Sequence, residues 1–215
     1  MNPGYLSLIL LCSAVILLAS GWKSALLPGL RDRGLIAFLI GWLVLSQIHI
    51  PGPGSAQAEI GLVLIPILIF VLHRIGSCET PVKGLHLVSI GLFLGSLYAL
   101  LHHALRADPL LLPLHSPVAA GIVVGLTALF LTRDPGDQLC VVSLGIVIGT
   151  GLVAYVRQNT VPFLWGGRTF QDEWWASVAA VRLASLAFES VWVASSGLMR
   201  KRLVREERDE QEREE

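Results

Sequence analysis

Long apolar windows without a single charge constrain this chain more than any other feature. Residues 6–18 and 60–72 contain no Asp, Glu, Lys or Arg, and similar windows recur to the end of the chain. Crossing a hydrocarbon core of about 30 Å takes about 20 mostly apolar residues. Seven windows approach that length: 4–21, 34–50, 57–72, 85–101, 117–132, 139–155 and 174–199. They use most of the 215 residues and leave no room for a folded soluble domain. Only 15% of the residues are charged, where a soluble domain has about a quarter. The expected fold is all-α, a polytopic membrane bundle of seven transmembrane helices over residues 1–199, followed by a charged tail, 200–215. The first window lacks the basic flank of a secretory signal and is expected to be a retained span.

The connections carry turn chemistry. "PGPG" (51–54) predicts a tight reversal between spans two and three. "ADPLLLPLHSP" (107–117) predicts a proline-punctuated loop, and "TRDPGD" (132–137) closes a hairpin between spans five and six. Pro66 falls within span three and predicts a kink, since its nitrogen cannot donate and its ring displaces a carbonyl.

The net charge of zero hides a sorted distribution. Lys23, Arg31, Arg33, Arg74, Lys83, Arg133, Arg200, Lys201, Arg202, Arg205, Arg208 and Arg213 fall on one side of a seven-span arrangement; only Arg106, Arg157 and Arg168 fall on the other. Twelve against three predicts an N-terminus outside and a C-terminus in the cytoplasm. In the tail, Arg202–Glu206, Arg205–Asp209 and Arg208–Glu212 are spaced i,i+4, so the last helix is expected to continue into water. Such a tail suits a docking site or, more plainly, a stop-transfer anchor with a solvating end.

Three GxxxG motifs, Gly91/Gly95, Gly121/Gly125 and Gly145/Gly149, lie in spans four, five and six. Glycines one turn apart let two backbones approach closely, which matters where lipid supplies no hydrophobic force. They predict a compact core of these three helices; the alternative is a face for a homo-oligomer or another membrane partner. Cys12, Cys78 and Cys140 lie far apart, without metal or redox spacing, and imply no disulfide framework.

Span seven carries the ionisable residues with the most chemical content. Arg182 and Glu189 are seven residues apart, so they share a helix face about 10 Å apart along the axis. Ser185 lies between them. Arg182 is expected to snorkel to the outer surface. Glu189, placed deep and on a short side chain, is the candidate proton carrier, because intramembrane ionisable groups often mark ion or proton pathways. The plainer reading is a packing contact.

A second set gathers at the expected outer surface: His49, His102, His103 and His115, with Asp108, Arg168, Asp172 and Glu173. Its spacing fits no metal motif, since "HH" points two rings to different faces and HExxH is absent. No metal or other cofactor is expected. In "RQNTVPFLWGGRTFQDEWWAS" (157–177), "GG" permits a sharp turn, and a re-entrant lid is one possibility. The plainer reading places Trp165, Phe170, Trp174 and Trp175 in an aromatic belt at the headgroups. No phosphate loop, dinucleotide fingerprint or nucleophile elbow is present, and nothing supports nucleic-acid binding.

The opening "MNPGYLSLILL…SGWK" and "FLIGWLVLS", over roughly the first 50 residues, resemble the small YphA-type membrane proteins of Gram-positive, spore-forming bacteria. The resemblance implies a cytoplasmic-membrane location and carries over no functional residue. The leading functional expectation is a non-enzymatic, multi-pass protein of the cell membrane, surrounded by the lipid bilayer and acting through interactions. The alternatives are a small-solute or proton-coupled transporter using Glu189 and Arg182, and an intramembrane enzyme with an outer histidine site.

Overall fold

Helices form wherever the apolar windows lie, and they start and stop on the turn chemistry between them. The computed structural model describes residues 2–27, 32–51, 58–107, 118–157 and 163–214. Its order is α1 (Tyr5–Ala19), α2 (Lys23–Leu26), α3 (Asp32–Leu45), β1 (His49–Pro51), β2 (Ala58–Gly61), α4 (Leu64–Gly76), α5 (Pro81–Ala107), α6 (Ala119–Leu131), α7 (Pro135–Arg157), β3 (Phe163–Trp165) and α8 (Arg168–Glu214). Each expected span thus contains one helix. Of these, α5 and α7 are long and apolar enough to cross a membrane; α1, α4 and α6 are apolar but shorter.

The outside of the bundle is apolar, and its largely apolar core also encloses polar side chains. Leu92, Phe93, Leu100, Phe130, Leu183 and Phe188 are exposed, while Gln138, Ser143, Gln171, Glu173, Ser177 and Arg182 are buried. A soluble protein buries its apolar surface and rarely buries charge. A bundle in lipid has no such drive and can turn apolar side chains outward on every helix.

The third window departs from expectation. Its first residues form β2, and α4 begins only at Leu64, so Pro66 occupies the first helical turn. There the missing N–H has no intrahelical acceptor to lose. Pro66 therefore starts a helix instead of kinking one. β2 pairs antiparallel with β1 (His49↔Gly61, Pro51↔Glu59) and parallel with β3 (Ala58↔Phe163, Ile60↔Trp165). The antiparallel pair confirms that the chain reverses here, although the glycines of "PGPG" lie outside the described residues, as does nearly all of the 107–117 loop. This three-stranded sheet marks one end of the bundle, the sheet end. A Cβ on Gly61 would stand 2.6 Å from the Gly166 carbonyl oxygen, and Gly166 has φ +87. Glycines at both positions are what let β3 turn back into α8.

The opposite end is closed by ion pairs. Asp134 caps α7 by accepting the Asp137 amide at 3.0 Å, with Pro135 at the first helical position. Arg74 of α4 donates to Asp134 at 2.7 Å and to Asp137 at 2.8 Å, and Lys83 of α5 reaches Asp137 at 3.2 Å. Burial opposes the charge on Arg74, but the hydrogen bond to Asp137 and the fields of Asp137 and Asp134 outweigh it and raise its pKa. The Lys83 pKa is raised too, first by its hydrogen bond to Asp137 and then by that carboxylate's charge.

The GxxxG glycines are spent on close helix contacts inside the chain. Gly91 and Gly95 face Leu144 and Ile148, while Gly145 and Gly149 face Leu94 and Tyr98, so α5 and α7 run parallel and nearly touch. Gly121 and Gly125 meet Glu173 and Ser177 of α8 instead. The expected core of spans four to six is corrected to two parallel pairs, α5 with α7 and α6 with α8. All six glycines are buried within the chain, so the groove they would offer a second copy is already filled by its own helices.

Candidate functional site

Four consecutive residues at the start of α8 bind four different helices. The Gln171 amide donates to the Ser46 carbonyl at the end of α3, at 3.3 Å. Asp172 accepts the amides of Gly4 and Ser7 at the N-terminus of α1, each at 2.7 Å. Glu173 accepts a hydrogen bond from the Tyr98 hydroxyl of α5. The Trp174 indole donates to the Ser143 hydroxyl of α7 at 3.1 Å. Successive residues on a helix turn by about 100°, so four of them look in every direction. Only a helix surrounded by its neighbours can use all four. The fifth neighbour, α6, lies against the Glu173 carbonyl, where Gly121 has no side chain to hold it off.

Around this hub the aromatic side chains are packed inward. Trp42 and Trp174 have centroids 4.6 Å apart, Trp174 and Trp175 5.1 Å, and Phe38 lies 5.8 Å from both Trp42 and Trp174. Phe170, Trp174 and Trp175 are buried, so the belt expected at the headgroups is corrected to an interior cluster. Trp165, on β3, donates to the Thr150 hydroxyl at 3.1 Å and folds the strand back over the bundle. A chain this rich in buried indoles gains from tilted and edge-on ring pairs, about 0.5–1.5 kcal/mol each beyond area burial.

The outer set separates into two kinds of residue. His49, His103 and Arg168 are exposed, with the stem of Arg168 lying along Gly4. Asp108 and His115 lie outside the described residues. Asp172, Glu173 and His102 turn inward: His102 stacks on Tyr98 at 5.8 Å with an interplanar angle of 19°. Tyr98, His102 and Glu173 form one buried polar group between α5 and α8. Reading the sequence passed over Tyr98. Its signal was present, four residues before His102 and so on the same helix face. Among the described residues no group of three or more His, Cys, Asp or Glu could hold a metal.

Arg182 and Glu189 exchange the places expected for them. Arg182 is 4% exposed; its guanidinium donates to the Gln138 side chain at 3.1 Å and to the Ala25 carbonyl of α2 at 3.0 Å. Gln138 is in the first turn of α7 and in turn donates to the Thr132 carbonyl at 3.0 Å. Arg182 therefore stands near the ion-paired end of the bundle, not two turns from the opposite surface. Glu189 lies about 10 Å further along α8, is exposed, and accepts only a long hydrogen bond, 3.4 Å, from Ser185. Glu189 is thus on the exposed surface of α8 and not packed inside the bundle. The buried carboxylates among the described residues are Asp137, Asp172 and Glu173, of which Glu173 is the least exposed. A cleft of about 590 Å³ between the end of α4 and the start of α5, lined by Ile75, Cys78, Thr80 and Leu85 among others, shares no residue with either polar group.

No curated protein and no solved structure matches the chain. A family model described as YphA-like integral membrane protein matches residues 31–210. The match begins where much of the opening that first carried the resemblance has ended, and it takes in the sheet, the hub and most of α8. The chain belongs to the YphA-like integral membrane protein family.

Proposed function

We propose that this protein crosses the bacterial cell membrane seven times, with its N-terminus and sheet outside and its ion-paired end in the cytoplasm, and that it acts through interactions and not through catalysis. The Lys and Arg asymmetry favours this orientation. One observation carries the interaction reading. Among the α8 residues whose burial is described, up to Trp192, the last buried one is Ser185, and the helix continues to Glu214. Phe188, Val191 and Trp192 are each about two-thirds exposed on this extension, which then runs into the segment of alternating charge. A helix extension that presents aromatic and apolar residues can pack against another protein within the membrane, with residues 200–215 as the docking tail.

Photo-crosslinking from position 192 in intact cells tests this. Discrete adducts that vanish when residues 200–215 are deleted support the reading. An uncrosslinked monomer from positions 188, 191 and 192 alike would overturn it.

Transport coupled to protons is the second reading. It is favoured by ionisable groups inside the bundle, Glu173 toward the sheet end and Arg182 toward the other. In that reading the exposed Glu189 gives up the carrier role to Glu173.

A further inference from the structure

We propose that Glu173, Tyr98 and His102 form a proton-binding site inside the bundle, toward its sheet end. This inference does not depend on the interaction reading. Glu173 is 2% and Tyr98 1% exposed, while His102, one turn nearer the sheet end of α5, is only partly buried. The three groups form a series from the bundle's end to its interior: an imidazole, a phenol stacked on it, and a carboxylate that accepts the phenol's hydrogen bond.

The chemistry of these groups makes them a proton site and not a metal site. An ionised carboxylate only accepts hydrogen bonds; once protonated it also donates one. Tyr98 donates to Glu173 now. When a proton from water forms an O–H bond on Glu173, the Tyr98 hydroxyl can turn and accept from it. The phenol is the one side chain of the three able to serve both states without moving its ring. Its ring is also fixed, because Gly149 lies so close that a Cβ there would stand 2.5 Å from Tyr98 Cδ1. Proton binding then reverses a hydrogen bond between two rigid helices and leaves their packing in place.

The described contacts of this site come from α5, α8, α6 and α7. From α5, Tyr98 meets Glu173 and His102 stacks on Tyr98. On α8, Asp172 is the adjacent residue, but its carboxylate is turned to the Gly4 and Ser7 amides of α1. α6 meets Glu173 at Gly121, and α7 meets Tyr98 at Gly149, neither bringing a titratable group. Ser177, below Glu173 on α8, donates to the Glu173 carbonyl at 2.6 Å and not to its carboxylate.

The test is pH-difference infrared spectroscopy on the full chain in lipid vesicles, following the C=O band of a protonated carboxyl. The expected result is a band that titrates and is lost in Glu173→Gln. Tyr98→Phe and His102→Gln, each removing one neighbour, should displace its midpoint by about one pH unit. If Glu173→Gln fails to fold, the other two variants decide: a displaced midpoint supports the site. A band that persists in folded Glu173→Gln, or a midpoint unmoved in both Tyr98→Phe and His102→Gln, would overturn it.

Discussion

Asp172 and Ser7 meet at 2.7 Å, carboxylate oxygen to backbone amide, across 165 residues of chain. The same carboxylate takes the Gly4 amide, so the first helix is capped by a side chain of the last. A capping side chain contributes about 1 kcal/mol, up to about 2, and leaving buried donors unpaired costs about 1–3 kcal/mol. Asp172→Ala should therefore destabilise the protein by about 2 kcal/mol, and Asp172→Asn, which keeps one acceptor, by less. Thermal unfolding in detergent micelles followed by helix signal measures both. Equal stability of the alanine variant and the parent would show that α1 is held by other means.

The glycine contacts predict a contrast between positions. At Gly125 a Cβ would stand 2.4 Å from the Ser177 carbonyl oxygen, a backbone atom with no freedom to move aside. Gly125→Ala should cost about 1–3 kcal/mol, the usual scale of overpacking. At Gly34 nothing lies within 4 Å, so alanine should be neutral or stabilise by up to about 1 kcal/mol through its helix propensity. A ranking in the opposite order would refute the close approach of α6 to α8.

For Arg182 and Glu189, substitution should show which is built in. Arg182→Met leaves the Gln138 and Ala25 acceptors unmatched and should cost about 1–3 kcal/mol. Glu189→Gln, at an exposed site, should stay within about 0.5 kcal/mol. A single cysteine at position 189 should also react with impermeant thiol reagent in inverted vesicles and not in intact cells. Resistance from both sides would place that turn of α8 inside the protein or the lipid.

Alkaline pH should weaken the ion-paired end. Lys83 has its pKa raised by Asp137, above the ordinary 10.5. A cation with a raised folded-state pKa contributes its stabilisation fully below the unfolded value and loses it as pH rises through the folded one. Melting temperature should thus fall above about pH 10.5 more steeply in the parent than in Lys83→Met. The difference should be small, since Lys83 is well exposed and such pairs contribute about 0–1 kcal/mol. Parallel melting curves for the two proteins across that range would remove Lys83 from the account.

Helix number and position were legible because apolar windows and turn residues are local signals, and the YphA resemblance on the opening residues led to the right family. Depth was not legible. Window limits of 174–199 for the last span placed Glu189 inside, but among the described residues the buried positions of α8 run from Phe170 to Ser185 and Glu189 is exposed. Polar residues 171–173 looked like a loop only because their partners on α1, α3 and α5 are far away in sequence. Pro66 misled for a similar reason: a strand before the helix leaves no periodic trace in four residues. The interior role of Trp174 and Trp175 was hidden because a tryptophan suits a membrane interface and a polar core equally well, and only Ser143 and Trp42 distinguish them.

Because the hub is made by residues 171–174, it cannot exist until translation is nearly complete. Helices α1 to α7 leave the ribosome first and remain a set of partners with no centre. During that interval α1 has an open N-terminus and Tyr98 has no carboxylate to bind. Assembly of this protein is therefore timed by its last helix: a chain stopped before residue 168 would carry the seven earlier helices and still lack the centre that joins them.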